Sequence, residues 1–273
     1  MNSKHVTKAI GAAVMALVAI AMVAPMAQAD TPAAGYTQFA GCPSIKENPV
    51  MSTCIRSVVS SGHFKMGSKD VPIEHPITLS GGADEFLGNF AANSKGGMPP
   101  VKQKVPGGII GLTGLTWLAE FLGIEALTLY AATELAGAPS FSGFNNITLP
   151  IKVHLINATL GNSCYVGSVT NPITLHLTTG TTSPPLPAKP ITGVPPKFTI
   201  DEKEIIHLDN GTYVDNAFSA PSASGCVLTL FGFIPISING LVNTQSGLPS
   251  AAGNNETLQV LSTELVDVRL VYP

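Results

Sequence analysis

The sequence predicts a mainly β protein, a β-sandwich or flattened β-barrel with one short helix. Three observations carry that expectation: repeated runs of alternating apolar and polar residues, turn residues between the runs, and four cysteines placed to staple them. Only 11% of the chain is charged, well under the usual quarter, and Gly, Pro, Thr, Ser and Asn fill the polar positions.

Lys4 and Lys8 give the N-terminus a positive flank ahead of the apolar run Ile10 to Val23. That run is shorter than the roughly 20 residues a helix needs to cross a bilayer. Pro25 and then Ala27-Gln28-Ala29 follow, the small-x-small pattern of a signal-peptidase site, so residues 1–29 read as an export leader cleaved after Ala29. Cleavage would remove two of the 14 basic residues and none of the 17 acidic ones, leaving a net charge of −5. Lys and Arg are scattered as well as outnumbered, which argues against a nucleic-acid partner. The mature part, 30–273, is long enough to bury a sizeable core as a single β-rich domain.

Cys42, Cys54, Cys164 and Cys226 all lie beyond the leader. In an oxidising compartment an even count reads as two disulfides; four cysteines allow three pairings, and sequence alone does not choose. The favoured pairing is Cys42 with Cys54, closing a short loop that has little packing of its own, and Cys164 with Cys226, joining two strand-like runs. In the chain-entropy model such loops contribute roughly 3 to 4.5 kcal/mol each. A zinc site is disfavoured because there is no Cys-x-x-Cys pair and no histidine at ligand spacing.

Asp30 to Ala40 is small and polar and reads as a loose entry segment. Short β-favouring runs begin at Cys54 and at Gly62, and a third spans Val71 to Ser80, where Pro72 and Pro76 confine it to an edge or a bulge. Gly107 to Ala138 is the most apolar part of the mature chain: Leu115, Leu118 and Leu122 recur at helical spacing, predicting a helix over 113–122 that runs into a strand over 126–135. Residues 146–160 alternate cleanly, with Ile147, Leu149, Ile151, Val153 and Leu155 facing one way and Thr148, Lys152 and His154 the other. Ile173, Leu175 and Leu177 repeat the pattern. Six prolines between 181 and 197 mark an extended crossover and the one candidate domain boundary. Beyond it, Asp209-Asn210-Gly211 signals a hairpin between two short strands, Cys226 to Ile236 reads as another, and Leu265 to Val271 as the last.

Motifs of the common enzyme classes are missing: no Gly-x-Ser-x-Gly elbow, no His-Glu-x-x-His, no phosphate-cradling loop and no dinucleotide fingerprint. No catalytic residue is therefore assigned, and no cofactor is expected. The neighbours Asp84-Glu85 and Asp201-Glu202 read as solvated faces. His154 and His176 sit on the polar faces of strands that would be neighbours, but no third ligand accompanies them, so no metal site is assigned. Asp209, Asn210 and Asp215 could offer oxygens to calcium, yet their spacing fits no calcium loop and the turn explains Asp-Asn-Gly. Asn-x-Thr sequons begin at Asn146, Asn157, Asn210 and Asn255.

The leader together with Phe39-Ala-Gly-Cys-Pro-Ser, the run Ser60 to Lys69, Gly161-Asn-Ser-Cys-Tyr-Val-Gly-Ser and Ser224-Gly-Cys-Val-Leu-Thr-Leu-Phe-Gly resembles a group of exported actinobacterial proteins over nearly the whole mature chain. The resemblance implies a bacterial, secreted origin and supplies no catalytic residues.

The leading expectation is an extracellular or cell-envelope β protein that binds a surface component without catalysis. A secreted hydrolase with an irregular site is a further alternative that no residue identifies. Between them stands a membrane-associating or pore-forming protein using 107–138, with Trp117 and Phe121 as contacts, motivated by the mean hydropathy of +0.32. That alternative predicts that the protein floats with liposomes and that changing Trp117 and Phe121 to Ser abolishes flotation; no binding at all would end it.

Overall fold

The computed structural model describes residues 30–84, 88–108, 128–157, 160–230 and 234–273. Cys42 is bonded to Cys54 and Cys164 to Cys226, the favoured pairing. The predicted helix at 113–122, with Trp117 and Phe121, lies outside the described residues.

The first half of the chain forms β1 (Thr53–Met66), β2 (Lys69–Pro72), β3 (Ile77–Ala83), β4 (Phe90–Ala91), β5 (Lys102–Lys104), β6 (Tyr130–Leu135), β7 (Ser140–Ser142) and β8 (Asn146–Ile156). The second half adds β9 (Tyr165–Val166), β10 (Ile173–Thr178), β11 (Lys197–Ile200), β12 (Ile206–Asp215), β13 (Ala223–Ser224) and β16 (Glu256–Asp267), and these fourteen make one antiparallel sheet. The remaining pair, β14 (Val227–Leu230) and β15 (Ile234–Ser237), forms a separate hairpin.

Long strands are each served by two short neighbours in succession. β1 pairs with β16 along one edge; along the other it meets β3 over 53–59 and β2 over 63–66. Pro72 and Pro76 fall at the break between those two partners, where neither has to donate to a ladder. On β8, β7 pairs over 146–148 and β6 over 151–156. Pro150 sits in the gap between them; its carbonyl accepts Ala136 N–H, and the donor it lacks would point into the same gap.

The sheet curls until it meets itself. From β1 it runs through β16, β12, β10, β8, β6 and β5, and β5 returns to the chain just beyond β2. The last contact is made by a side chain: Gln103 Oε1 accepts Glu74 N–H at 2.9 Å and His75 N–H at 3.0 Å, while Gln103 Nε2 donates to the His75 carbonyl at 2.7 Å. Eight strands thus close a flattened barrel. A second seam lies between β10 and β12, which share only the Thr178–Val214 pair. There Asp215, 1% exposed, accepts His176 N–H at 2.6 Å and Ala217 N–H at 2.8 Å. Burial pushes its carboxyl above the usual range, and those two N–H donors oppose the shift.

A bulge sets which residues face inward. The register of β1 against β16 slips between Val59 and Ser61, so one extra residue, Ser60, enters the strand. Before it the odd positions Ser57 and Val59 point into the barrel; after it the even positions Phe64 and Met66 do. Without the extra residue, period-two alternation would turn Phe64 and Met66 to solvent.

Several expectations are corrected. Asp209-Asn210-Gly211 does not turn a hairpin but lies inside β12, where the register with β16 shifts between Leu208 and Gly211. Asn210 takes φ 53°, and its N–H donates to Ser262 Oγ at 3.0 Å, so αL-tolerant residues serve a bulge instead of a turn. Gly211 is needed for close approach, since a Cβ there would come within 2.8 Å of the Tyr213 ring. The entry segment is packed: Phe39 is fully buried against Cys42, Cys54 and Val266, and Ala33 N–H donates to the Val271 carbonyl. The last strand ends at Asp267, whose side chain caps the short helix Val268–Val271 by accepting Arg269 N–H. A helix at Asn239–Ser246, closed by Gly247 at φ 65°, was not foreseen, because its Asn, Gly, Thr and Ser mask a weak apolar stripe.

Tyr213 is 2% exposed in β12, and its hydroxyl donates to the Phe144 carbonyl. Burial raises this phenol from 10.0 to about 12. The folded state therefore holds its proton more tightly than the unfolded chain: the stabilisation is complete below about pH 10 and lost as pH rises through about 12. Chemical denaturation between pH 9 and 12 should show the wild type losing about 2–3 kcal/mol more than Tyr213→Phe over that range.

Candidate binding cavity

The inward face of the barrel is apolar almost throughout. From β8 come Ile147, Leu149, Ile151, Val153 and Leu155, the row predicted from sequence, each no more than 9% exposed. Leu175 and Leu177 of β10 and Leu261 of β16 face them, and β6 adds Ala131 and Thr133. Fully burying one such large side chain contributes about 1.5–3 kcal/mol, so this face holds much of the fold's stability.

These side chains do not fill the barrel. They enclose a cavity of about 110 Å³, several times the 10–15 Å³ that one water needs, and a cavity so lined stays dry. It is also smaller than the roughly 300–1,000 Å³ of a site for a bulky ligand. Along β8 the lining extends from Ile147 to Leu155, about 26 Å at strand rise. A small volume spread over that length is a narrow slot, suited to a flexible chain and unsuited to a fused ring system.

Polar groups on the lining are few and mostly occupied. Gln103 is spent on the seam, Ser57 Oγ shares a hydrogen bond with Thr263 Oγ1 at 2.8 Å, and Gln259 Nε2 donates to Thr257 Oγ1. Lys69 is the sole charged residue on the described lining. It continues the inward row of β2 after Ile73 and Val71, half-buried, beside Met66, Ser246 and Leu248. At this end the strands meet the helix Asn239–Ser246: Ser68 N–H donates to the Ser246 carbonyl at 2.9 Å and Ser68 Oγ to the Gln245 carbonyl at 2.8 Å. Beyond that wall lies an open polar recess of about 810 Å³, bordered by Lys65, Lys189, Asn254 and Glu256.

The titratable side chains considered as site residues lie elsewhere. His154 is on the outer face of β8, stacked on Tyr165 at 4.3 Å and 3.5 Å from Glu134, which also pairs with Lys152 at 3.1 Å. Burial, then the Glu134 charge, pushes the Tyr165 phenol up. His176 sits opposite Thr148, six residues from His154 along β8, so the two histidines are not brought together. His63 lies between Asp70 and Glu256, and His207 between Asp201 and Glu264. No group of three metal-ligating side chains occurs among the described residues. Asp201 is held below the usual carboxylate range chiefly by Ile205 N–H, as the acceptor of a turn. Asp215 is committed to its seam, and Asp209 and Asn210 to a bulge. Asn255 is 2% exposed and hydrogen-bonded to Gly67 and Phe218, so that sequon is closed to modification.

Sequence reasoning found the rows on β8 and β10 but missed the cavity. The available signal was that these faces carry large aliphatics with no aromatic plug; the bulge at Ser60 hid the equivalent row on β1. No family model, curated protein or solved structure matches this chain.

Gln103 closes the lining on one side and is 5% exposed. Gln103→Leu keeps the volume and strands two donors and an acceptor, so urea unfolding should show a loss of about 2–4 kcal/mol.

Proposed function

We propose that this is an exported, non-catalytic binding protein that holds an apolar, chain-like ligand inside its barrel. The observation that carries this reading is the narrow cavity between β1, β8, β10 and β16, lined mostly by aliphatic side chains with Phe64 and Phe141 beside them, and kept unfilled. Side chains of such a core normally interdigitate to crystal-like density. Retaining space costs stability, about 24 cal/mol per Å³ of residual cavity, or about 2–3 kcal/mol here. A binding role accounts for that cost.

The expected leader and the two disulfides fit an extracellular or cell-envelope location in a bacterium. Nothing in the charge distribution favours a nucleic-acid partner.

One observation favours membrane contact as a second reading. Val105, just after β5, and Leu129, just before β6, flank the stretch 109–127, and Val105 N–H donates to the Leu129 carbonyl at 2.8 Å. Val105 and Leu129 both line the cavity, so the most apolar stretch of the sequence is anchored beside it at both ends. A membrane surface could then supply or receive the ligand. No helix among the described residues is long and apolar enough to cross a membrane.

Ala131 points into the cavity from β6, opposite Leu155 in the register with β8. The purified protein should take up radiolabelled hexadecanol, a neutral single-chain probe, saturably. Ala131→Trp should fill the slot and weaken uptake at least tenfold with an unchanged far-ultraviolet circular dichroism spectrum. Undiminished uptake by a folded Ala131→Trp variant would refute the cavity as the site.

A further inference from the structure

We infer that the ligand is a single-chain amphiphile with a monoanionic head, a long-chain fatty acid, and that Lys69 receives its carboxylate. This rests on the reading of the cavity as a ligand site and adds the chemical class of the occupant.

Three observations lead there. First, the slot is long and thin, which admits one alkyl chain and excludes ring systems or paired acyl chains. Second, Lys69 is the one charge on a described lining whose other polar groups are few and mostly hydrogen-bonded within the protein. Third, no acidic side chain neutralises it: its neighbour Asp70 is engaged by His63 at 3.0 Å, and Lys69 forms no ion pair among the described residues.

A half-buried lysine without a carboxylate partner stands at the edge of an apolar cavity, its charge unneutralised by any acidic side chain among the described residues. Facing water alone, a lysine would serve as well on the other side of β2, where Asp70 points away. Pointing inward with Val71 and Ile73, Lys69 leaves its stem along apolar surface and its head at the end of the slot, the disposition of a snorkelling lysine. One cation matches one anionic group, and a carboxylate is the smallest head that supplies it. The place is also the polar end of the cavity: beside it stands Ser246, and across the wall formed by 65–69 and 246–250 lies the polar recess with Lys65 and Lys189. The chain would run from there along the aliphatic rows of β8 and β10.

The test is direct binding of radiolabelled palmitate and of radiolabelled hexadecanol to the purified protein, two ligands that share a chain length and differ in charge. A charge-assisted hydrogen bond to Lys69 should make palmitate bind at least about tenfold more tightly than hexadecanol. Lys69→Met should reduce that ratio to less than about twofold, and Lys69→Arg should retain most of it. Equal affinity for the two ligands in the wild type, or an undiminished ratio in Lys69→Met, would overturn the inference while leaving the cavity reading intact. Failure of both ligands to bind saturably would overturn the cavity reading and this inference with it.

Discussion

Curling a sheet into a barrel requires its two free edges to find hydrogen-bond partners, and in this protein Gln103 provides the closing bonds. Its carboxamide presents an acceptor and a donor in one plane, as a peptide group does, and so replaces a ladder step between β5 and the 74–75 backbone. Asp215 does comparable work between β10 and β12, where the backbone ladder shrinks to one pair. Both side chains are buried, so their bonds form away from competing water and would be costly to leave unmade. The enclosed interior follows from these closures, because an open sheet of the same strands would offer a face and not a slot.

Closure also explains why the disulfides sit where they do. Cys42–Cys54 pins the packed entry segment onto the start of β1, and Cys164–Cys226 ties the β8–β9 turn to the segment leading into the β14–β15 hairpin. Neither lines the cavity, yet Cys164 and Cys226 belong to the cluster of buried side chains that surrounds it. The crosslinks stabilise a shell whose centre is left partly empty, and room for a ligand is retained against the tendency of aliphatic cores to pack tightly.

How legible each element was depended on whether its cause was local. The alternation of Ile147 to Leu155 and of Ile173 to Leu177 is a period-two pattern that any half-buried strand must show, and both rows appear as read. Pro72 and Pro76 announced an interrupted edge, and β1 changes partners there. Asn210-Gly211 misled because residues that tolerate positive φ serve a hairpin and a bulge equally well; pairing with β16, about 50 residues on, selected the bulge. The helix Asn239–Ser246 has poor intrinsic propensity and is held by tertiary bonds, Asn239 to Cys226 and Asn243 to Ala223.

By itself the sequence determined the strand-rich class, the inward and outward faces of the regular strands and the number of cysteines available to crosslink them, since these follow from residue periodicity and composition. Tertiary structure alone decided that the sheet closes, that Ser60 switches the parity of β1 and that Lys69 faces an apolar slot. Those outcomes depend on hydrogen bonds and register between segments far apart in the chain, Gln103 with 74–75 and β1 with β16. Local preference contains no information about which distant edge a strand will meet.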